Sequence, residues 1–278
     1  GFYQYDGYEA TLYKSNLYAP GLLTNNNILC LVDDYKHNLW IGTQEGLNIL
    51  NKKTGEIRKI LAPEIPNNVV SCLLVTRDHS VWLGTDSGLC KYIAEKDSFV
   101  VYHREQTDGV LDYTAIKSLF EDSEGDLWIG TWSSGLYRYV PSTGKFYAYP
   151  QLNERNSAHV IYEDTNKNIW VGSWNNPKDL QRVSYVNYRH KLGDNISLSD
   201  DIVYDISEDL NTNTLWVGTR SGLSIMSNDT PGHFINYKSR GSSHYISCDE
   251  INSIIRDNSG MMWLGSIGEG VLNADTHQ

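Results

Sequence analysis

Six copies of a five-residue block of the type Leu-Trp-Ile-Gly-Thr recur along this chain of 278 residues. Subtracting the numbers of neighbouring block tryptophans gives steps of 42, 46, 42, 46 and 47 residues. A period in the forties with strand-like units is typical of β-propeller blades, each of which is a four-stranded antiparallel sheet. The chain is therefore predicted to be an all-β propeller. The block tryptophans are Trp40, Trp82, Trp128, Trp170, Trp216 and Trp263.

The repeat around Trp128 indicates how one blade is divided into strands. Residues 115–121 have the pattern of a buried strand, and 122–125 form a turn with Asp first and Gly last, as type I turns prefer. The block itself is the second strand. Residues 136–139 and 145–149 alternate as a third and a fourth strand should.

Each recurring position within the repeat has a structural explanation. We expect the tryptophan to fill space between blades, and the block glycine to permit close approach near the narrow axis. The aspartate six residues before the tryptophan is expected to brace its turn rather than to act in catalysis. This aspartate occurs as Asp34, Asp122, Asp164 and Asp257, while Asp209 lies one residue earlier and Thr76 replaces it in the second repeat. The block glycines are Gly42, Gly84, Gly130, Gly172, Gly218 and Gly265.

Both ends of the chain carry incomplete blades. Residues 1–5 match the third strand of the repeat and residues 11–13 the fourth, whereas 251–256, 261–266 and 270–273 match strands one to three. Because the chain begins in mid-pattern, we expect it to be a piece of a longer protein. Seven blades are predicted in the parent protein, with a six-bladed closure through a shared terminal blade as the alternative. The predicted single propeller domain, residues 1–278, comprises a half-blade at 1–20, five full blades at about 21–62, 63–108, 109–153, 154–195 and 196–240, and an incomplete blade at 241–278.

Charge and hydropathy argue against several classes of partner. The net charge is −11 and no basic stripe is present, which disfavours nucleic acids and anionic membranes. No run of about 18 apolar residues occurs, so no direct membrane insertion by this segment is expected.

The cysteines and histidines do not indicate a metal site. None of the four cysteines forms a Cys-x-x-Cys pair and the eight histidines are scattered, so we expect neither a metal nor a cofactor. Cys30 and Cys72 each lie ten residues before their tryptophan, where Ser118 and Ser253 stand in other repeats. This pattern favours a small residue where inner strands crowd together, and a disulfide remains the alternative.

Three segments of the chain resemble a known repeat family. Residues 122–131 read Asp-Ser-Glu-Gly-Asp-Leu-Trp-Ile-Gly-Thr, and 135–139 read Gly-Leu-Tyr-Arg-Tyr. Together they resemble the two-component regulator propeller repeat. Residues 1–8 are similar to the opening-blade segment of that family, and 23–28 are similar to its Leu-Ser-Asn-Asn linker. Six copies in phase extend the resemblance over nearly the whole chain.

The resemblance implies a biological context. Such propellers form the periplasmic sensor region of hybrid two-component system histidine kinases of Bacteroidetes, and their ligands are commonly oligosaccharides. The implied function is a non-catalytic sensor that controls a distant histidine kinase in the same inner-membrane protein. The implied partners are an oligosaccharide, a second propeller or β-sandwich of the same polypeptide, and a homodimer mate.

The candidate ligand site lies in the loops. Loops between strands two and three, and the blade-to-blade linkers, are expected on one rim of the ring, where function on a repeated scaffold usually resides. Aromatic faces stack on sugars, and amide, carboxylate and guanidinium groups bind their hydroxyls. The residues that follow the block supply both kinds of group. The ligand-binding candidates are Trp174, Trp132, Asn175, Asn176, Asp86, Gln44 and Arg220.

Two alternatives stay open for these loops. Trp132 and Trp174 occupy the same place in adjacent repeats, and both are also explained by packing between blades. The linkers offer a second polar set, Asn67-Asn68, Asp112-Tyr113, Ser199-Asp200-Asp201 and His244-Tyr245.

Two other functions compete with ligand sensing. A glycan-active or lyase-type propeller enzyme would need a catalytic set such as two carboxylates at a defined separation, and the sequence shows no such pair. A protein-interaction propeller would use the same surface aromatics. We expect the chain itself not to be an enzyme.

Overall fold

The computed structural model describes residues 1–5, 7–15, 22–111, 114–149, 157–174 and 186–274. Within these segments the chain is all β, with one 3-10 turn at Glu105–Thr107 and no α-helix. The chain divides into two compact units, Gly1–Tyr149 and Pro150–Gln278. The single domain over residues 1–278 stays a prediction.

The first unit contains one two-stranded sheet followed by three four-stranded sheets, all antiparallel and each in chain order. The two-stranded sheet pairs β1 (Phe2–Tyr5) with β2 (Ala10–Tyr13), the segments that match strands three and four of the repeat. The four-stranded sheets are β3 (Ile28–Asp33), β4 (Asn38–Thr43), β5 (Gly46–Asn51) and β6 (Ile57–Ile60); β7 (Val70–Val75), β8 (Val81–Thr85), β9 (Gly88–Ile93) and β10 (Ser98–Tyr102); and β11 (Ile116–Glu121), β12 (Leu127–Thr131), β13 (Leu136–Val140) and β14 (Lys145–Tyr149).

The described residues of the second unit form three sheets of different sizes. A two-stranded sheet is formed by β15 (Val160–Glu163) and β16 (Ile169–Gly172). The next sheet has four antiparallel strands and a short fifth strand, β21, that pairs parallel with β20. Its strands are β17 (Val203–Asp209), β18 (Thr214–Thr219), β19 (Gly222–Ser227), β20 (Phe234–Lys238) and β21 (His244–Tyr245). The last sheet consists of β22 (Ile251–Arg256), β23 (Met262–Ser266) and β24 (Gly270–Ala274).

Neighbouring sheets within each unit pack through their first strands. In the first unit β3 contacts β7 and β7 contacts β11, and in the second unit β15 contacts β17 and β17 contacts β22. The tryptophan of one sheet enters the apolar cluster of the next: Trp40, 2% exposed, packs with Val70 and Leu83. Trp82 and Trp216 pack in the same way. Antiparallel four-stranded sheets packed like this are propeller blades, so the predicted fold class is confirmed.

The block glycines lie where adjacent first strands approach each other. A Cβ atom on Gly84 would lie 2.4 Å from Cys72 Sγ and 2.7 Å from Ile116 Cγ2 of the following sheet. Gly42 is enclosed similarly, with Cys30 Sγ 2.3 Å from the place of its Cβ. These cysteines therefore fill the small space beside the glycines. Both are free thiols, and burial raises the pKa of Cys30 to about 12, which keeps it unreactive at neutral pH.

The turn aspartates hold the block tryptophans by a repeated hydrogen bond. The indole Nε1 donates to the Oδ2 atom of the aspartate six residues earlier, while the Oδ1 atom accepts backbone amides of the turn. The indole distances are 2.9 Å for Trp40 to Asp34 and 2.7 Å for Trp128 to Asp122, Trp170 to Asp164 and Trp263 to Asp257.

The fifth repeat uses a relay in place of this direct bond, because its aspartate lies one residue earlier. Trp216 Nε1 donates to Thr214 Oγ1 at 2.9 Å, and the Thr214 hydroxyl lies 2.7 Å from that of Thr212. Thr212 in turn donates to Asp209 Oδ2 at 2.7 Å. The longer turn thus keeps the indole anchored through two hydroxyl groups.

Candidate ligand-binding site

A β-bulge interrupts the first strand of five sheets at the same place. The pairing register shifts by one residue between Val70 and Cys72 opposite Thr85 and Gly84, and the other four sheets repeat this shift. A bulge leaves one residue unpaired and re-aims its side chain. The bulged residues are Leu29, Ser71, Lys117, Tyr204 and Asn252.

The residue after each block lies at the same edge of its sheet as the bulge. In five of the repeats its backbone amide donates to the carbonyl of the residue just before the first strand, for example Asp86 to Val69 at 3.2 Å and Arg220 to Ile202 at 3.1 Å; Trp174 is the exception. The block Thr hydroxyl keeps this loop short, since Thr219 Oγ1 donates to Gly222 O at 2.9 Å. We call this edge of each sheet the loop edge. Side chains of the bulged residue and the post-block residue therefore meet there.

In the first unit the loop edge carries a charged cluster beside a tryptophan. Lys117 Nζ lies 2.7 Å from Asp86 Oδ1 and 3.3 Å from Ser71 Oγ, and Ser71 donates to the same carboxylate at 3.2 Å. The ammonium also lies 5.8 Å from the ring centroid of Trp132, within the range of a cation–π contact. Trp132 is 44% exposed, and Gln44 is exposed at the loop edge of the preceding sheet.

In the second unit the loop edge carries an aromatic cluster. Trp174 stacks on His159 with ring centroids 4.0 Å apart and planes inclined by 4°. Tyr204 meets the same indole edge-on, at 5.7 Å and 88°. Trp174 is 36% exposed, and its backbone amide donates to Ser157 Oγ at 3.0 Å. This combination of a stacked and an edge-on contact is the arrangement that aromatic quadrupoles favour.

A buried carboxylate holds polar groups next to this aromatic cluster. Asp200, 9% exposed, accepts from Arg220 Nη2 at 3.2 Å and from Ser221 Oγ at 2.7 Å. Burial acts to raise the pKa of Asp200, but hydrogen bonds from Ile202 N and Ser221 and the charge of Arg220 outweigh it, and the pKa lies below 3.8. The pKa of Tyr204 is raised by burial and by the nearby charge of Glu250.

The structure therefore brings the predicted site residues together in two groups. Asp86 and Trp132 meet through Lys117 in the first unit, and in the second unit Tyr204 contacts Trp174 and interacts electrostatically with Arg220. Asn175 and Asn176 lie outside the described residues, as does the linker at Asp112-Tyr113.

Three of the four predicted linkers lie among the described residues, and each has a structural role. Asn67 Nδ2 donates to Ser87 Oγ at 3.1 Å, and Asn68 Oδ1 accepts Ala62 N at 2.8 Å, so both side chains brace turns. The linker at His244–Tyr245 forms the short strand β21. Asp200 of a third linker is the carboxylate that holds Arg220.

Three residues of these clusters were missed by reasoning from the sequence: Lys117, His159 and Tyr204. A signal was present, because Lys117 and His159 both stand eleven residues before a block tryptophan, at 128 − 117 and 170 − 159. Tyr204 stands twelve residues before Trp216, in the repeat with the longer turn.

The described segments show neither a cluster of metal ligands nor a membrane-spanning helix. They contain no group of three or more His, Cys, Asp or Glu side chains placed to share a metal ion. No helix in these segments has the length and apolar character that spanning a bilayer requires.

Solved structures similar to this chain come from several proteins. One is the extracellular domain of a hybrid two-component system of B. thetaiotaomicron, with 21% identity and a TM-score of 0.73 over 98% of this chain and 36% of that chain. PorZ, a surface component of the type-IX secretion system of Porphyromonas gingivalis, has 14% identity and a TM-score of 0.69 over 96% of this chain and 42% of that chain. A virginiamycin B lyase from Staphylococcus aureus has 14% identity and a TM-score of 0.64 over 92% and 84%. Each likeness supports the fold.

The chain spans about a third of the length of the B. thetaiotaomicron protein. None of the curated proteins matches it in sequence. The family model described as two component regulator propeller matches four segments, residues 22–45, 64–87, 110–133 and 154–175. Each segment contains one copy of the block and the linker before it. The chain therefore carries repeats that match the two component regulator propeller model.

Proposed function

We propose that this chain is the ligand-sensing part of a two-component signalling receptor and that it binds an oligosaccharide at the loop edge of the second unit. The observation that carries the proposal is the exposed indole of Trp174, fixed by His159 and Tyr204 beside the Arg220–Asp200 pair. The match of four segments to the two component regulator propeller model supports the sensor role.

The chemistry of this cluster suits a sugar. Pyranose rings present apolar C–H faces that pack on aromatic rings, and a contact with one large side chain contributes about 1.5–3 kcal/mol. The hydroxyls of a sugar need donors and acceptors at the rim of that contact. The Tyr204 hydroxyl and the guanidinium of Arg220, whose side chain is 53% exposed, supply such groups next to the indole.

The carboxylate in this cluster suits binding better than catalysis. A general acid must hold its proton near neutral pH. Asp200 has a lowered pKa and is engaged by Arg220 and Ser221, so it is ionised and serves to orient these side chains. The proposal is therefore a non-catalytic sensor.

In the proposed receptor the signal passes by rigid-body motion. The blades are tightly packed, so ligand binding shifts the population of arrangements between this part and its partners rather than remodelling a sheet. The proposed partners are a second propeller or β-sandwich of the same polypeptide and a homodimer mate, and the proposed output is a distant histidine kinase. The proposed location is the periplasm, which fits the extracellular domain named for the B. thetaiotaomicron relative.

The test is calorimetric titration of the chain with a panel of neutral plant and host oligosaccharides. Trp174→Ala removes the stacking surface and should cost about 1.4 kcal/mol or more of binding free energy. The affinity for the best ligand should therefore fall at least tenfold. Trp132→Ala is the matched control, since it removes an indole of similar exposure from the same place in another repeat. Its affinity should change less than about twofold.

Two results would contradict the proposal in different ways. Equal affinity in the wild type and in Trp174→Ala would reject the site, and a loss confined to Trp132→Ala would move it to the first unit. Absence of binding by every sugar, together with turnover of one of them, would favour the enzyme alternative. Absence of both binding and turnover would favour the protein-interaction alternative.

A further inference from the structure

A cavity of about 380 Å³ lies in the second unit, and none of the residues of the aromatic cluster lines it. It follows β20, between residues 190–198 on one side and 241–244 on the other. Both walls are fastened to the sheet. Phe234 N donates to Ile196 O at 2.9 Å, Asn236 Nδ2 donates to Ser197 O at 2.8 Å, and β21 pairs with the end of β20. We call it the outer cavity.

The charge around the outer cavity differs from that of the chain as a whole. The chain has a net charge of −11, but the cavity is lined by Lys191 and Lys238 with His190 and His244. Asp194 is the one acidic residue of its lining. That carboxylate accepts the amide of Ile196 at 3.1 Å, within its own loop. The lining therefore carries two lysines against one carboxylate, while Asp201 accepts His190 N at 2.8 Å and Asp249 interacts electrostatically with Lys238 beside it.

Several donors at the cavity are held in place by the fold. Lys238 Nζ donates to Ser199 O at 3.2 Å, which fixes the ammonium and uses one of its three hydrogens. His190 Nδ1 donates to Leu198 O at 2.9 Å, which orients the ring and uses that hydrogen within the protein. Ser243 Oγ lies 3.1 Å from His244 Nδ1. A rigid set of donors is what binding of an anion requires.

The remaining wall is apolar. Leu198 and Phe234 are buried at 5% and 4% exposure, and Ile196 and Ile235 are each 49% exposed at its margin. The volume is in the range of small-molecule sites and exceeds what one inorganic oxyanion fills. We propose that the outer cavity binds a small organic anion whose sulfate, phosphate or carboxylate group meets Lys191 and Lys238 while its carbon skeleton rests on the apolar wall.

This site shares no residue with the proposed saccharide site, so either proposal stands or fails without the other. The chemistry common to the candidate ligands is an oxyanion on a carbon frame about the size of one sugar ring. The source of the oxyanion is distinguished by the probes: inorganic sulfate, inorganic phosphate, glucose 6-sulfate, glucose 6-phosphate and glucuronate.

The experiment follows backbone amide NMR shifts of the whole chain at constant ionic strength while each probe is added. Saturable shifts are expected for residues 190–198 and 241–244, with at least one organic probe bound about tenfold more tightly than inorganic sulfate or phosphate because it also covers the apolar wall. Neutral glucose should cause no saturable shift in these segments. No saturable shift with any organic probe, or equal binding of the inorganic ions, would overturn the proposal.

Charge-removing variants test the donors. Lys191→Gln with Lys238→Gln should weaken the best organic probe at least tenfold, whereas Lys145→Gln, an exposed lysine of β14 in the first unit, should leave it unchanged. Lys191→Gln alone should weaken it about threefold or more and leaves the Lys238–Ser199 contact intact, so it serves if the double variant fails to fold. Unchanged affinity in a folded variant would overturn the assignment.

Discussion

The bond between Asp122 and Trp128 offers a sharp test of how a blade is held together. Trp128 Nε1 donates to Asp122 Oδ2 at 2.7 Å, and both residues are buried, at 7% and 5% exposure. Asp122 Oδ1 also accepts the amides of Glu124 and Asp126 at 3.0 and 2.9 Å. The perturbation is Asp122→Asn, which retains one oxygen for these amides and turns an NH2 group toward the indole.

The expected loss of stability follows from the lost hydrogen bond. A hydrogen bond to a charged group contributes about 1.5–3 kcal/mol, and a buried donor left without an acceptor costs about 1–3 kcal/mol. Asp122→Asn should therefore lower the free energy of unfolding by about 2–3 kcal/mol. Trp128→Phe removes the donor, so adding Asp122→Asn to it should cost much less. The double-mutant cycle of Asp122→Asn and Trp128→Phe should give a coupling energy of about 2 kcal/mol.

The assay is urea denaturation of the wild type, the two single variants and the double variant, followed by circular dichroism. Asp257 and Trp263 form the matched control, because they make the same bond at 2.7 Å where the indole is 39% exposed. Their cycle should show a smaller coupling, since water replaces the lost partner. Additive losses at Asp122 and Trp128, within about 0.5 kcal/mol, would refute the reasoning.

Three further variants test other contacts by the same denaturation assay. Gly84→Ala places a Cβ 2.4 Å from Cys72 Sγ and should cost about 1–3 kcal/mol by overpacking; an unchanged midpoint would contradict the close approach. Glu208 is 3% exposed and accepts the amide and the hydroxyl of Thr165 at 2.9 and 3.0 Å. Glu208→Gln turns an NH2 group toward one of these donors and should lower the free energy of unfolding by about 1–3 kcal/mol. Wild-type stability would argue against this link between sheets. Burial raises the pKa of Asp205 from 3.8 to about 6. At a pH between these values the folded state holds a proton that the unfolded state releases. The free energy of unfolding should therefore fall by at most about 3 kcal/mol as pH rises from about 4 to about 7. Asp205→Ser should lack this fall, and a pH profile parallel to the wild type would exclude Asp205 as its cause.

Elements that repeat were predictable from the sequence because one physical cause acts on every copy. The indole of Trp40 packs on the following sheet for the same reason as that of Trp82, so spacing alone indicated four strands and their order. The offset of Asp209 also indicated a longer turn. The relay through Thr212 and Thr214 was not predictable, because it depends on which hydroxyls the longer turn brings together.

The candidate site was only partly predictable. The post-block loops were expected to carry it, and Trp174 and Arg220 do flank one cluster in the second unit. Their neighbour Tyr204 was missed because it is the bulged residue of β17, and a bulge is set by pairing between strands and leaves no mark on the period of the repeat. His159 lies just before β15 and meets Trp174 only through the pairing of β15 with β16. The outer cavity was missed for a related reason: residues 190–198 and 241–244 face each other only because both are bonded to β20.

A crystal structure of the chain with the oligosaccharide that binds best would test the proposed saccharide site most directly. We expect a sugar ring in van der Waals contact with the indole of Trp174 and a hydrogen bond between the ligand and Tyr204 or Arg220. Clear density for the sugar at another place, with Trp174 and Tyr204 untouched by ligand, would contradict it.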